Sequence, residues 1–327
     1  HEKFAGLRGR RGLIGKLLGS QALLKWISRF ALSTNPAELG RLTVSTLRGV
    51  EGNQRRLLTE LVDWLTLDVQ PEIVHLSNSL FSGFAREIKR RLKVPVVCGL
   101  QGEALFLEGL PEPHRSGALG LIRDRSADID RYTASSAHEA EQMASWIGLD
   151  RAKVDVVLPG ISLADYAEPP AERPPERPLT IGYFARIAPE KGLHLLCDAF
   201  HLLCESDEFP DLRLKAAGYL GGKDFRYAAA VRRLLARRRI GDRVEILGTV
   251  DRAEKLSFFR GIDVFSVPTA FPEPKGLFLL EAMASGVPVV EPRHGSFPEL
   301  IGAAGGGLLY APGSAEDLAA RLGELLR

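Results

Sequence analysis

The chain has 327 residues, 45% of them hydrophobic, and a formal net charge of +2, so it is long enough to bury two cores. No apolar run approaches the roughly 20 residues of a membrane-spanning helix, and the chain start shows no signal-peptide pattern. The three cysteines lack the spacing of a metal or redox motif, and free thiols suit a reducing cytoplasm.

The first 59 residues are strongly basic, with 11 Lys/Arg against 3 Asp/Glu. Apolar side chains are interleaved with these charges, as in an amphipathic helix that lies on a membrane surface. The alternative is an ordinary helical excursion with a solvated basic side. Nucleic acid is not expected as a partner, because no recognisable binding motif accompanies the charge. The apolar residues are Leu13, Ile14, Leu17, Leu18, Leu23, Leu24, Trp26, Ile27 and Phe30.

Short apolar strands alternate with helical segments along the rest of the chain. Strands are predicted near 72–76, 94–98, 131–134 and 154–158, and again near Leu179, Leu212, Val244, Asp263, Pro288 and Gly307. Between the two groups, positions 168–178 hold five prolines and read as a linker. The pattern predicts an α/β protein with two doubly wound parallel sheets, in domains 1–167 and 179–327, and a ligand cleft between them.

Arg186 and Lys191 follow the predicted strand near Leu179 and lie in the turn before a helix that begins near Gly192. Open α/β sheets place ligand groups at this end of a strand. Two cations five residues apart across a turn can converge on one anion such as a diphosphate. The alternative is a pair of solvated loop charges.

Glu273 and Glu281 stand on either side of Gly276, which precedes a predicted helix. The backbone amides of Gly276, Leu277 and Phe278 would face a ligand at the positive end of that helix, a favourable place for phosphate. Two carboxylates flanking this end would accept hydrogen bonds from hydroxyls on both sides of the phosphate. A nucleotide sugar has this layout, whereas the alternative is that both carboxylates are merely solvated.

These two segments resemble the retaining glycosyltransferases of family 4, which have the GT-B fold of two Rossmann-like domains around a cleft. The resemblance implies that Arg186 and Lys191 neutralise the donor diphosphate, that Glu273 binds the donor sugar and that Glu281 binds the ribose. It also implies base contacts from Ile246, Leu247 and Gly248.

There are departures from the family pattern. Pro274-Lys275 replaces the usual Gly-Phe, and Gln101 occupies the place of a histidine beside the reacting sugar. A glutamine can orient a donor hydroxyl but cannot titrate, and it could instead cap the next helix. Relative to the family, the sequence also lacks the first strand with its glycine-rich loop and the final helix, so we expect a fragment.

The resemblance implies transfer of a sugar from a nucleoside-diphosphate sugar to a hydroxyl of a polysaccharide, lipid-linked or small-molecule acceptor, with retention at the anomeric carbon. No cofactor or metal is expected, because the two cations would stabilise the departing diphosphate. The protein is expected in the cytoplasm, with peripheral contact at the inner membrane surface if the basic region binds lipid. A nucleotide-sugar epimerase and a non-catalytic nucleotide-sugar-binding module are the alternatives.

Overall fold

The computed structural model describes residues 35–166 and 176–327. Residues 1–34 of the basic region and 168–175 of the predicted linker lie outside the described residues, so the structure does not bear on them. Within the described ranges, every predicted strand region contains a strand, and the strands form two parallel sheets. None of the described helices is long and apolar enough to cross a bilayer.

The N-terminal part contains a four-stranded sheet in the order β1-β2-β3-β4. All its pairings are parallel, with Val74 opposite Val96 and Tyr132 opposite Val154. Its strands are β1 Val74–Leu76, β2 Val96–Leu100, β3 Arg131–Ala134 and β4 Val154–Val156. Its helices are α1 Pro36–Leu47, α2 Arg55–Trp64, α3 Ala85–Leu92, α4 Glu103–Glu108, α5 His114–Arg125 and α6 Ala137–Ile147.

The C-terminal part contains a six-stranded parallel sheet in the order β10-β9-β8-β5-β6-β7. The chain order reverses direction at β5, so that β5 lies between β8 and β6. The strands are β5 Thr180–Phe184, β6 Arg213–Ala217, β7 Val244–Ile246, β8 Val264–Phe265, β9 Val289–Pro292 and β10 Gly307–Tyr310. The helices are α7 Leu193–Glu205, α8 Phe225–Arg237, α9 Arg252–Arg260, α10 Leu277–Ala284, α11 Phe297–Ala304 and α12 Ala315–Leu326.

A chain of aromatic rings supports the C-terminal sheet next to the switch in strand order. Phe259 contacts Phe265, Phe265 contacts Phe278 and Phe278 contacts Phe297, with ring centroids 5.6, 6.1 and 6.0 Å apart. Such tilted pairs add to the hydrophobic stabilisation of burial. The rings therefore fix the start of α10 and the start of α11 against the sheet.

Direct polar contacts join the two parts. The Ser135 hydroxyl after β3 donates to the carbonyl oxygen of Pro274 at 2.7 Å. The carboxylate of Glu299 accepts from the backbone N–H groups of Ala137 and His138, at 2.7 and 2.9 Å, and so satisfies the first turn of α6. An ion pair between Arg252 and Asp165 adds a further contact. The carboxyl ends of both sheets thus face a common cleft.

Candidate active site

The turn that carries the two predicted cations is fixed by its backbone. Beyond β5, Ile187 N–H donates to the carbonyl oxygen of Tyr219 at 2.9 Å, and a short 3₁₀ turn spans Pro189–Lys191. Gly192 then adopts φ +71° before α7 begins. A Cβ on this glycine would lie 1.8 Å from the carbonyl oxygen of Pro268, so only glycine fits.

Lys191 lies at the centre of the candidate site. Its Nζ donates to Glu273 Oε2 at 2.6 Å and lies 5.0 Å from the ring centroid of Phe271 and 5.5 Å from that of Phe278. The side chains of Lys191 and Glu273 are only 17% and 11% exposed, so water screens this pair weakly. The structure therefore brings together two residues that the sequence places 82 positions apart.

Arg186 has different partners. Its guanidinium pairs with Glu190 and lies 3.6 Å from Asp224, a buried carboxylate near the start of α8. Arg186 and Lys191 thus share a turn but contact different carboxylates. That they meet on one anion stays a prediction. Asp224 was missed by the sequence analysis, because nothing in the chain pattern marks it as a partner of β5.

The helix predicted after Gly276 is present in the structure. Gly276 adopts φ +61° and precedes α10, in which Leu277 and Phe278 are the first two residues, and Glu281 follows one turn later. The first amides of any helix lack intrahelical acceptors and can bind an anion. Glu281 Oε1 accepts from the Nζ of Lys255, on α9, at 2.6 Å. The sequence analysis did not identify Lys255.

Ile246, Leu247 and Gly248, the predicted base contacts, lie at the end of strand β7, which is separated from β5 by β6. Leu247 N–H donates to Ala216 at 2.9 Å, and the carbonyl oxygen of Gly248 accepts from Gly218 at 2.7 Å. Ile246 is the last residue of β7, and the Leu247 side chain is 39% exposed. Because β7 and β5 flank β6, these residues and Arg186 share one edge of the sheet.

Gln101 directly follows β2, on the opposite side of the cleft. It lines a cavity of about 370 Å³ together with His75, Ser135, Leu158 and Lys275. The residue before α4 is Gly102, and among the described residues Gln101 bonds α4 only through its backbone N–H, which donates to Glu103 Oε2 at 2.6 Å, so the capping role considered for the Gln101 side chain is not seen. Lys275, one of the departures from the family pattern, thus places a cation in the cleft.

Pro274, which departs from the family pattern together with Lys275, packs on the turn after β2. A Cβ on Gly102 would lie 2.5 Å from Pro274 Cγ. The N–H of Gly102 donates to Glu139 at 2.8 Å. Burial raises the pKa of the Glu139 carboxyl, and the hydrogen bond from the Gly102 N–H partly offsets this rise. Pro274 therefore contributes to the junction between the two parts of the chain.

Another buried carboxyl, that of Glu291, lies near Glu273 and Lys191 and was also missed by the sequence analysis. Both oxygens of Glu291, on β9, accept from the backbone N–H of Val267, at 3.1 and 3.3 Å. Burial raises its pKa well above the usual 4.5, and the nearby Glu273 adds to this, whereas the Val267 N–H and Lys191 oppose it. The sequence did offer a signal for this residue, because Glu291 follows a run of apolar residues in a predicted strand.

Two family models match this chain. The model described as glycosyl transferases group 1 matches residues 166–327, and the one described as glycosyl transferase 4-like domain matches residues 22–160. Together they cover both parts of the structure.

Two similar curated proteins have the same name. The D-inositol 3-phosphate glycosyltransferase of Nocardia farcinica is 30% identical in an alignment 273 residues long, and the match covers 78% of this chain and 58% of the relative. That of Pseudarthrobacter chlorophenolicus is 35% identical in an alignment 266 residues long, and the match covers 76% of this chain and 60% of the relative. The chain thus spans less than two thirds of the length of these relatives.

Solved structures show the same architecture. Anabaena Alr3699/HepE in complex with UDP-glucose superimposes with a TM-score of 0.65 at 18% identity, over 83% of this chain and 72% of that one. Sucrose-phosphate synthase from Thermosynechococcus elongatus gives 0.67 at 19% identity, over 84% and 70%. At this identity the likeness shows the fold alone, and it confirms the predicted GT-B architecture.

Proposed function

This chain belongs to the glycosyl transferases group 1 family, and from that membership we propose that it moves a sugar from a nucleoside-diphosphate sugar to an acceptor hydroxyl, with retention at the anomeric carbon. The observation that carries the proposal is the contact of Lys191 with Glu273 at 2.6 Å, beside the N-terminus of α10. This contact supports a site in which a cation, a carboxylate and the first backbone amides of α10 would bind one small molecule.

The cations would hold the diphosphate. An ammonium group has three N–H donors, so Lys191 can keep its bond to Glu273 and still donate to a phosphate oxygen. The Arg186 guanidinium has five donors and can do the same while paired with Glu190 and Asp224. Negative charge develops on the leaving diphosphate in the transition state, where preorganised donors of this kind lower the barrier.

The carboxylates would hold the hydroxyls. Glu273 uses one oxygen for Lys191, which leaves lone pairs for donor-sugar hydroxyls. Lys255 holds Glu281 in the same way and fixes its orientation for the ribose hydroxyls. Ile246, Leu247 and Gly248 would contact the base. Anabaena Alr3699/HepE, a similar protein crystallised with UDP and with UDP-glucose, supports a donor of this class.

Retention would follow from attack on the same face that the diphosphate leaves. Glu273 is engaged with Lys191, so we do not assign it the role of a covalent nucleophile. Gln101 cannot accept or release a proton, and the leaving phosphate would therefore take the proton of the acceptor hydroxyl. Because Arg186 and Lys191 supply the positive charge, we expect transfer to persist in the presence of a metal chelator.

The acceptor would enter the cavity of about 370 Å³ at the end of β2. Lys275 and His75 both line this cavity, which suits a polar acceptor with anionic character. Because curated relatives are named for D-inositol 3-phosphate, this compound is the first acceptor to test.

Calorimetric titration with UDP-, GDP- and ADP-sugars tests the donor assignment, followed by assays of donor hydrolysis and of transfer. We expect one class to bind and to be hydrolysed slowly without an acceptor. Interconversion of donor sugars without an acceptor would indicate an epimerase instead. Binding with neither hydrolysis nor transfer would indicate a non-catalytic module, and failure of all three donor classes to bind would contradict the proposal.

A further inference from the structure

Glu291 is a completely buried carboxyl group that the proposed reaction does not use. All four residues of β9, Val289–Pro292, are buried, and the Glu291 side chain is among the least exposed polar groups in the described residues. Burying a carboxyl group costs free energy unless it is hydrogen-bonded, so a glutamate at this place needs a reason. Its bonding partner is the backbone N–H of Val267, two residues after β8.

Val267 begins the loop that leads to Glu273. The segment 291–296 contacts this loop at two further points, because His294 Nε2 bonds the carbonyl oxygen of Thr269 at 3.0 Å and Ser296 N–H donates to that of Glu273 at 2.8 Å. The loop is thus held at its beginning, in its middle and at Glu273.

The two segments also lie too close for any side chain on Gly295. A Cβ there would be 2.4 Å from the backbone nitrogen of Glu273. The glycine adopts φ +59°, which favours glycine on its own account. The segment 291–296 therefore fixes the path of the loop on one side, while the Ala270 N–H bonds the carbonyl oxygen of Glu190 at 2.9 Å on the other.

We propose that Glu291 is a positioning residue, which anchors the loop 267–273 so that the Glu273 carboxylate meets Lys191 and the donor sugar. It acts through the loop backbone and does not touch the donor. The part of this proposal that concerns the donor rests on the proposed function, whereas the anchoring of the loop does not.

The chemistry of the site indicates that the anchor is a neutral carboxylic acid. Both Glu291 oxygens share one N–H, at 3.1 and 3.3 Å, which is poor compensation for a buried negative charge. The charged and titratable groups near it are Glu273, Lys191 and the hydroxyl of Tyr310. A glutamine has the same shape and can accept the same N–H, so Glu291→Gln should preserve the anchor.

Hydrogen exchange of the unliganded chain tests the anchor. We expect Glu291→Ala to speed amide exchange within residues 267–273 by about tenfold, the effect of losing one buried hydrogen bond, and Glu291→Gln to stay near the wild-type rate. Val290→Ala is the matched control. This variant also truncates a buried side chain of β9, but the Val290 side chain points to the face of the sheet opposite to that of Glu291.

Exchange in 267–273 that is no faster in Glu291→Ala than in Val290→Ala would overturn the proposal, as would a Glu291→Gln variant that behaves like Glu291→Ala. The infrared carbonyl stretch of protonated carboxylic acid should be weaker in Glu291→Gln than in the wild type, with any band from the buried Glu139 common to both. An equal band in the two proteins would overturn the neutral anchor.

Titration with UDP-glucose extends the test to the donor. We expect affinity to fall about tenfold in Glu291→Ala and by less than about threefold in Glu291→Gln. If wild-type protein bound none of the nucleotide sugars, the proposed function would fail while the exchange experiment still decided the role of Glu291. Equal affinity of the Glu291→Ala variant and the wild type would contradict the donor part of this inference.

Discussion

At the scale of single residues, the candidate site depends on paired charges that are partly shielded from water. Lys191 with Glu273 and Lys255 with Glu281 each join a lysine Nζ to a carboxylate at 2.6 Å. Each pair brings a cation from one loop or helix to a carboxylate from the segment around Gly276. Under the proposed function, a donor would use lone pairs and N–H groups that these pairs already orient.

Replacing Lys191 by alanine should lower transfer by about 10²-fold or more, since it removes a preorganised stabiliser of the leaving diphosphate. Steady-state kinetics and circular dichroism would check this result in a folded protein. Lys215→Ala is the control, because Lys215 also forms an ion pair on the C-terminal sheet, with Glu245, but lies within β6. Transfer undiminished in Lys191→Ala would contradict the role assigned to Lys191.

Glu291 should make the stability of the protein depend on pH. Because its folded-state pKa lies above the usual 4.5, the native state keeps a proton that the unfolded state releases. Stability from this group is complete below pH 4.5 and declines as the pH rises through the folded-state pKa. Glutamine cannot titrate, so Glu291→Gln should gain in melting temperature relative to wild type as the pH rises. A difference that is constant with pH would refute this.

The sequence indicated the four candidate site residues but not the side chains that pair with them. Arg186, Lys191, Glu273 and Glu281 were identified from local motifs, each within a strand-turn-helix or loop-helix pattern. Lys255 and Asp224 were not, because their contacts depend on which strands are neighbours in the sheet. Side-chain pairing across sheet neighbours leaves no signal within a short window of sequence.

At the scale of elements, strands were predicted from apolar runs and their ends from turn residues, but boundaries moved. The strand predicted over 94–98 is observed as Val96–Leu100, because Pro95 lacks an N–H for the ladder and only its carbonyl oxygen pairs, with Val74 N–H. A turn before Gly192 was predicted, but its 3₁₀ conformation over Pro189–Lys191 was not. This turn is what aims Lys191 at Glu273.

A substitution at Gly192, directly after the 3₁₀ turn, tests how much the backbone geometry of this turn contributes to stability. Gly192→Ala should destabilise the protein by more than the ~1 kcal/mol expected from backbone strain alone, because the added Cβ meets the Pro268 carbonyl oxygen. Gly305→Ala is the matched control, since Gly305 has φ +69° but open space around the added Cβ. Chemical denaturation would measure both. Equal losses in the two variants would show that the contact with Pro268 has no effect.

At the scale of the whole molecule, the two sheets face each other through contacts that no local pattern could predict. Ser135 and Pro274 are 139 positions apart, and Glu299 reaches the first turn of α6 from the other part of the chain. Such contacts follow from the mutual placement of two folded parts. The alternation of strands and helices, in contrast, was enough to predict two parallel sheets and a cleft.

Removing the Glu299 carboxylate should loosen this junction. Glu299→Ala leaves two N–H groups at the start of α6 without their acceptor, at a cost of about 1–2 kcal/mol, and should increase the radius of gyration in small-angle scattering. Asp251→Ala removes a comparable helix cap within the C-terminal part and should leave the radius unchanged. An unchanged radius in Glu299→Ala would mean that other contacts hold the junction.

A crystal structure of this chain with the nucleotide sugar that calorimetry identifies would test the central claim most directly. We predict the diphosphate within about 3–4 Å of both Lys191 Nζ and the Arg186 guanidinium, at the N-terminus of α10, with sugar hydroxyls on Glu273 and ribose hydroxyls on Glu281. A diphosphate bound elsewhere, with Lys191 and Glu273 still joined only to each other, would contradict the account.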